Sequence, residues 1–151
     1  MTSLQPQLLK PQAPGIPTPR PSSQSEAYWE GCRRHELLYQ RCAACGHVGM
    51  RAFSICASCF SASPVWERSA GAGSLYSWTV VWRPPNPSFA VPYAPAVVRL
   101  DEGVWMMSAV IGCQADELHD GMRLVVEFHP ASEEILLPYF RPQDAQDPPT
   151  L

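Results

Sequence analysis

The sequence RCAACGHVGMRAFSICASC, at residues 41–59, contains two Cys-x-x-Cys pairs separated by ten residues. Two residues between cysteines allow a tight turn that directs both thiolates to one point, about 2.3 Å from a metal ion in a tetrahedral site. Two such turns that face each other supply all four ligands, and a closed site of this kind is structural rather than catalytic. The spacing therefore predicts a structural zinc site, with the ligands Cys42, Cys45, Cys56 and Cys59.

Other interpretations of these cysteines have less support. Two disulfides require an oxidising compartment, and the first residues do not resemble a secretion signal. A redox-active pair would lie at the start of a helix that follows a strand, and neither pair does. Iron can bind the same four thiolates, so it stays open beside zinc. Cys32 and His47 lie close enough in the sequence to substitute as ligands, but four ordered thiolates leave no position for them.

Composition limits the classes of protein that this chain can belong to. With 46% hydrophobic residues, the 151 residues can form one domain-sized core and a small appendage. The formal net charge of −3 gives no general attraction to phosphate backbones. No apolar run approaches the roughly 18 residues that a membrane-spanning helix needs. Six cysteines without a secretion signal lead us to expect a cytoplasmic protein that binds neither membranes nor nucleic acid.

The chain divides into five predicted segments. Residues 1–24 contain six prolines among polar residues, which predicts a disordered or extended arm. Residues 25–40 are predicted to form an amphipathic helix that Ser25 caps, and its aromatic residues Tyr28 and Trp29 either pack on the core or anchor another subunit. The metal-binding segment spans residues 41–66. A β-rich segment at residues 67–142 and a second disordered tail at residues 143–151 follow.

The β-rich segment has the signals of a small barrel. Aromatic and β-branched residues form five runs bounded by turn residues, and one helical turn is predicted before the fourth run. We therefore expect a mainly β protein, in which an N-terminal helix and a zinc ribbon precede a five-stranded OB-fold barrel. The five predicted strands lie near residues 74–82, 93–100, 104–111, 122–128 and 134–140.

The residues give little support for catalysis or for nucleic-acid binding by this chain. Its four histidines fall on separate elements, its single lysine, Lys10, lies in the arm, and no nucleophile, base and oxyanion site come together. We therefore predict no catalytic residue. Tyr76, Trp78 and Trp82 could stack on bases, but few basic residues accompany them along the strands.

Several sequence blocks occur in a characteristic order: Tyr28-Trp29-Glu30-Gly31, Leu38-x-Gln40-Arg41-Cys42-x-x-Cys45-Gly46, Cys56-x-x-Cys59, Gly73-x-x-Tyr76-Ser77-Trp78-Thr79-Val80-Val81, Pro92-Tyr93, Val98-x-Leu100-Asp101-Glu102-Gly103, Gly121-Met122 and Pro138-x-Phe140-Arg141-Pro142. Together these blocks resemble the DUF35 family, whose members join a rubredoxin-like zinc ribbon to an acyl-CoA-associated OB-fold. The resemblance covers residues 26–142 and keeps the order and spacing of the blocks. It departs from the family where Met50-Arg51-Ala52-Phe53 replaces a Pro-Arg-Pro run and where Phe60 replaces a glycine.

The resemblance implies a non-catalytic accessory subunit. The implied partner is a thiolase-superfamily enzyme (a thiolase, a sterol side-chain aldolase or an acyltransferase) or a hotdog-fold enoyl-CoA hydratase, with acyl-CoA at the shared interface. A stand-alone acyl-CoA-binding module is the alternative, and a single-strand nucleic-acid binder has less support. We expect the docking surface to include the loop from Arg83 to Tyr93, which otherwise only closes the barrel. The candidate interface residues are Tyr28, Trp29, Arg83, Phe89, Tyr93, Tyr139, Phe140 and Arg141, with Arg83 as a possible contact to a CoA phosphate.

Overall fold

The structure, a computed structural model, describes residues 7–144 and residue 147. The first residues of the predicted arm, and residues 145, 146 and 148–151 of the predicted tail, lie outside this range. One α-helix, eight strands and one 3₁₀ turn form the described part. None of its helices is long and apolar enough to cross a membrane.

The first part of the chain is a helix followed by a three-stranded ribbon. Helix α1 spans Glu26–Arg33, and the strands β1 (Leu38–Cys42), β2 (Val48–Gly49) and β3 (Pro64–Arg68) follow it. Both β2 and β3 pair with β1 in the antiparallel direction, so β1 is the central strand. The long connection between β2 and β3 carries the second cysteine pair, and the ribbon thereby brings it back beside the first pair.

The second part is a closed five-stranded barrel, as predicted. Its strands are β4 (Ala72–Trp78), β5 (Ala94–Leu100), β6 (Trp105–Val110), β7 (Arg123–Pro130) and β8 (Leu136–Pro142), in the order β4-β5-β6-β8-β7 with β4 paired to β7. A 3₁₀ turn at Ala115–Glu117 precedes β7. Alternate residues of the strands fill the interior, because successive side chains of a strand point to opposite faces. Fully buried examples are Leu75, Val98, Leu124 and Phe140.

The helix is shorter than predicted. It ends at Arg33 rather than near residue 40, because His35 adopts a left-handed backbone conformation with a φ of 59°. The amide of Glu36 donates to the carbonyl of Gly31, and the amide of His35 donates to that of Cys32, both at 2.8–2.9 Å. These two hydrogen bonds form a Schellman motif, which ends a helix and turns the chain toward β1.

The N-terminal arm is extended where it is described, but it packs on the barrel instead of remaining disordered. The amide of Leu9 donates to the carbonyl of Cys113, and the amide of Gly112 donates to the carbonyl of Leu9, both at 2.9 Å. The side chain of Leu9 is 1% exposed and belongs to the main hydrophobic core. The described part of the arm is therefore extended along the barrel, where the buried side chain of Leu9 and a short backbone pairing attach it.

The ribbon and the barrel share one hydrophobic core. Cys32 of α1, Leu37 just before β1 and Tyr39 of β1 belong to the same buried cluster as Leu75 and Phe140 of the barrel. The two parts therefore have a common packed interior, and the ribbon is held against one side of the barrel.

Candidate metal centre and apolar groove

The two cysteine pairs form one compact cluster at the end of the ribbon. The four Sγ atoms of Cys42, Cys45, Cys56 and Cys59 all lie within 4.8 Å of one another. The Sγ atoms of Cys42 and Cys59 are 3.7 Å apart, and those of Cys45 and Cys56 are 3.6 Å apart. A tetrahedron with metal–sulfur bonds of about 2.3 Å has edges of about 3.8 Å. The cluster is therefore positioned to bind one metal ion.

Each pair sits in a tight turn with the same backbone shape. The amide of Gly46 donates to the carbonyl of Cys42, and the amide of Phe60 donates to the carbonyl of Cys56, at 2.8 and 2.9 Å. The residue after each pair is left-handed, with a φ of 77° for Gly46 and 61° for Phe60. In addition, the amide of Ser58 lies 3.4 Å from the Sγ of Cys56. Amide–sulfur hydrogen bonds of this kind orient a ligating thiolate.

The charge state of the cluster favours a bound cation. The Ser61 hydroxyl lies 3.1 Å from the Sγ of Cys42 and lowers the pKa of that thiol to about 6. The amide of His47 lowers the pKa of Cys45, but burial and the adjacent thiols of Cys59 and Cys56 outweigh it and raise the pKa to about 12. Thiols this close cannot all ionise without a positive charge between them. A metal ion supplies that charge, and its binding displaces the protons of the thiols.

The alternative ligands considered from the sequence are located elsewhere. Cys32 is fully buried in the core shared by the helix and the barrel. The Nδ1 atom of His47 lies 3.1 Å from the Ser58 hydroxyl, and His47 does not belong to the metal-binding cluster. The four predicted cysteines, without either alternative, therefore make up the donor set, and all-thiolate donors suit zinc or iron.

An apolar groove lies where α1, the loop after β4 and the outer side of the barrel meet. Its cavity volume is about 340 Å³. Two aromatic pairs line it: Tyr28 and Trp29 meet edge to face at 5.0 Å between ring centroids, and Phe89 and Tyr93 stack at 5.8 Å. Tyr139 lies in the same lining. Five of the eight predicted interface residues, which are far apart in the sequence, therefore come together in one groove.

Burial in the groove affects the two tyrosines. Desolvation, together with the adjacent Cys32 thiol, raises the pKa of Tyr28, so this phenol is neutral at physiological pH, as an ordinary tyrosine is. Burial also raises the pKa of Tyr139, whose hydroxyl accepts a hydrogen bond of 3.2 Å from the amide of Gln12. Both rings thus present neutral surfaces, and the groove carries no charged side chain of its own.

The other three predicted interface residues lie outside the groove. Phe140 is 0% exposed and points into the barrel core, so it cannot contact a partner and its assignment to the interface is wrong. Arg141 forms ion pairs with Glu127 at 2.9 Å and with Asp147 at 2.8 Å, which hold its guanidinium within the chain. Arg83 is exposed on the loop after β4 and does not line the groove.

Two groove residues come from the arm, which the sequence analysis assigned no site. The Gln12 amide donates to the carbonyl of Ala90 at 2.9 Å and accepts from the amide of Ala90 at 2.8 Å, so it holds the loop that carries Phe89. Ile16 is 8% exposed and packs in a small second core beside Phe89. The signal in the sequence was weak: a few isolated apolar residues between prolines.

Comparisons with known proteins agree with this architecture. The family model described as "ChsH2, rubredoxin-like zinc ribbon domain" matches residues 29–65, and the model described as "ChsH2, C-terminal OB-fold domain" matches residues 66–129. Among solved structures, a chain of the "Ltp2-ChsH2(DUF35) aldolase" is 33% identical, with a TM-score of 0.77, and the match covers 83% of this chain and 98% of that chain.

Curated relatives fall into two groups. A probable enoyl-CoA hydratase alpha subunit of Thermomonospora curvata is 35% identical over 138 residues, which cover 90% of this chain and 43% of that protein. This chain therefore spans less than half of that relative. A DUF35 domain-containing scaffold protein of Methanothermobacter thermautotrophicus is 28% identical over 104 residues, which cover 68% of this chain and 78% of that protein. With its cysteine ribbon, its OB barrel and these matches, the chain belongs to the DUF35 family.

Proposed function

We propose that this protein is a non-catalytic accessory subunit that docks on a thiolase-superfamily acyl-CoA enzyme and helps to form its acyl-CoA channel. The observation that carries the proposal is the groove, in which five residues expected at an interface converge. In this proposal the metal is zinc, and it stabilises the ribbon.

The names of the relatives support an enzyme partner. One solved relative is named as an aldolase that combines Ltp2 with ChsH2(DUF35), and other relatives are named as a hydratase alpha subunit and a scaffold protein. We prefer a thiolase-like partner because the match with the aldolase chain covers 98% of that chain, whereas the match with the hydratase alpha subunit covers 43% of that protein. An enoyl-CoA hydratase is the alternative partner.

The chemistry of the groove suits a protein contact. Its lining combines tyrosine, tryptophan and phenylalanine side chains that are already packed against each other. Such residues dominate the energetic centres of protein interfaces, and pre-packed rings lose little conformational entropy on binding. Phe89 is the proposed anchor, because Gln12 holds its loop against the arm.

A second function, that of a stand-alone acyl-CoA-binding module, is supported by the size of the groove. Its volume of about 340 Å³ is within the range of small-molecule pockets, which is roughly 300–1,000 Å³. An acyl chain needs a lining that is mainly apolar, which this groove has.

Purification of the tagged protein from native extract, with zinc in the buffer, tests the proposal. We expect a thiolase-like protein to be recovered at close to equal stoichiometry. Phe89→Ala is expected to weaken this association about tenfold or more, because truncated interface anchors cost at least 1–2 kcal/mol. Phe60→Ala, which changes an exposed ring on the ribbon that is not part of the groove lining, is the matched control and should not change the recovery.

Two results would contradict the proposal. If Phe89→Ala recovered the partner as well as the unmodified chain does, the groove would not be the docking site. If no enzyme were recovered while the isolated chain bound acyl-CoA, the stand-alone module would replace the accessory subunit as the better description.

A further inference from the structure

A second aromatic cluster lies on the outer surface of the barrel, and its two rings are not part of the groove lining. Tyr76 on β4 and Trp105 on β6 meet edge to face, with 4.5 Å between their ring centroids, although β5 lies between the two strands. Both side chains remain about half exposed, at 58% and 48%. A rigid sheet therefore presents two large π-surfaces to solvent, which can stack on a planar base.

The backbone explains how the two rings meet. The pairing of β4 with β5 shifts between Leu75 and Ser77, so Tyr76 occupies a β-bulge. A bulge redirects the side chain of the strand that contains it. On β5, Arg99 pairs with both Ser74 and Trp105. Side chains of directly paired residues lie on the same face, which places the Arg99 guanidinium on the aromatic side of the sheet.

Two cavities flank the aromatic pair, and each contains an arginine. Tyr76 and Arg99 line a cavity of about 460 Å³. Trp105 and Arg51 line another of about 510 Å³, where the ribbon meets the barrel. Neither Arg51 nor Arg99 forms an ion pair with any of the residues that the structure describes. Their charges are therefore available to an anion.

The remaining ionisable groups of the two cavities leave a net positive charge. In the first cavity, Arg123 and Asp101 bind each other through two contacts of 2.8 Å. Asp120 lines the same cavity, is exposed, and opposes an anion there. His47 lines the second cavity beside Arg51. Because Arg123 neutralises Asp101, the charges that remain are the positive charges of Arg51 and Arg99 and the negative charge of Asp120.

We propose that this surface, formed by Tyr76, Trp105, Arg51 and Arg99, binds a phosphorylated nucleoside. Because the two rings are nearly perpendicular, the base stacks on the exposed face of one of them. The phosphates bind the arginine of the adjoining cavity, Arg99 or Arg51, whose guanidinium matches phosphate geometry well. The surface has too few basic residues to follow the backbone of a single strand, which favours a mononucleotide over an oligonucleotide. The nucleotide is either free or the 3′-phosphorylated ADP end of coenzyme A, and only the second source rests on the proposed function.

Isothermal titration of the full, zinc-loaded chain with ADP and, separately, with coenzyme A tests this inference. Trp105→Ala and Arg99→Gln should each weaken binding about tenfold, which is the usual effect of losing one stacking or charged contact. Asp120→Asn should strengthen binding, because it removes the opposing charge. Trp82→Ala and Arg20→Gln are the matched controls, since both residues are exposed elsewhere, and neither should change the affinity.

The two ligands distinguish the source of the nucleotide. If the protein binds ADP and coenzyme A with equal affinity, the surface is a site for the free nucleotide. If it binds coenzyme A more tightly and the variants have the same effects, coenzyme A is the ligand. The inference is overturned if neither ligand binds, if Trp105→Ala and Arg99→Gln bind as the unmodified chain does, or if a thymidine oligonucleotide competes more strongly than both. The titration contains no partner enzyme, so its failure would leave the docking proposal intact.

Discussion

At the residue scale, Phe60 shows how a metal-binding turn tolerates an unfavourable residue. It occupies the position after the second cysteine pair that Gly46 occupies after the first, and both are left-handed. A residue with a Cβ atom is destabilised in this conformation by about 1–2 kcal/mol, whereas glycine adopts it readily. The family resemblance already identified this position as one where glycine is usual, and the backbone gives the reason.

Phe60→Gly is therefore expected to stabilise the protein. Relief of the left-handed strain exceeds the entropy that glycine adds to the unfolded chain, so we expect a gain of roughly 0.5–1 kcal/mol, or about 1–4 °C in Tm. The ring is 79% exposed, so its removal loses little buried surface. Thermal unfolding of the zinc-loaded protein measures the change. Phe60→Ala keeps the strain and serves as the control; an equal gain in both variants would contradict the explanation.

Phe140 illustrates what the sequence of a strand does not reveal. Tyr139 and Phe140 are neighbours on β8, and their side chains point to opposite faces. Phe140 fills the barrel, while Tyr139 is covered by the arm through the hydrogen bond from Gln12. Because both residues are buried, the usual alternation of buried and exposed residues is absent at this point of β8. The sequence pattern therefore does not show which of the two rings faces a partner.

At the scale of elements, the arm is a structural part of the barrel rather than a tail. Leu8 forms a β-bridge with Gln114, and Leu9 inserts into the core. The arm also supplies Gln12 and Ile16 to the groove. It therefore links the stability of the barrel to the shape of the proposed docking surface.

A pair of adjacent substitutions tests this role. Leu9→Ala should lower the free energy of unfolding by roughly 2–5 kcal/mol, which is typical of a buried leucine. Leu8→Ala, at a neighbouring side chain that is 43% exposed, should cost about 0.5 kcal/mol or less, as surface substitutions do. Urea unfolding measures both. Equal, small effects of the two substitutions would show that the arm does not pack on the barrel in solution.

At the scale of the whole molecule, the two parts of the protein depend on different sources of stability. The barrel has an apolar interior formed by strands from the entire second part of the chain. In the ribbon, by contrast, Cys56 is the only buried side chain between residues 43 and 63, a range that the structure describes completely. A segment with so little apolar burial cannot offset its conformational entropy, so we expect a metal to supply the difference.

Removal of the metal should therefore open the ribbon selectively. After treatment with a chelator, hydrogen exchange should become fast for residues 43–63 and remain slow in β5 and β7, because the barrel core does not contain the metal ligands. Cys45→Ser should reproduce this pattern without a chelator. A uniform loss of protection along the chain would instead show that the barrel also depends on the metal.

The local and strongly patterned features could be predicted from the amino-acid sequence. The spacing of the cysteines specified the metal cluster, because two-residue turns constrain four thiolates within a short range of the chain. The five runs of aromatic and β-branched residues specified the barrel strands to within a few residues. The family resemblance followed from these same blocks, and the comparisons confirmed it.

The contacts between residues far apart in the sequence could not be predicted and became visible in the folded chain. The end of the helix depends on the left-handed backbone conformation of His35, and histidine is not a residue type from which this conformation is predicted. The order of the arm depends on a cavity in the barrel that accepts Leu9, and the groove depends on α1, the arm and the loop of Phe89 reaching the same side of the barrel. The bulge that brings Tyr76 to Trp105 is likewise a property of strand pairing. These features arise from contacts across the chain, and local sequence patterns do not encode them individually.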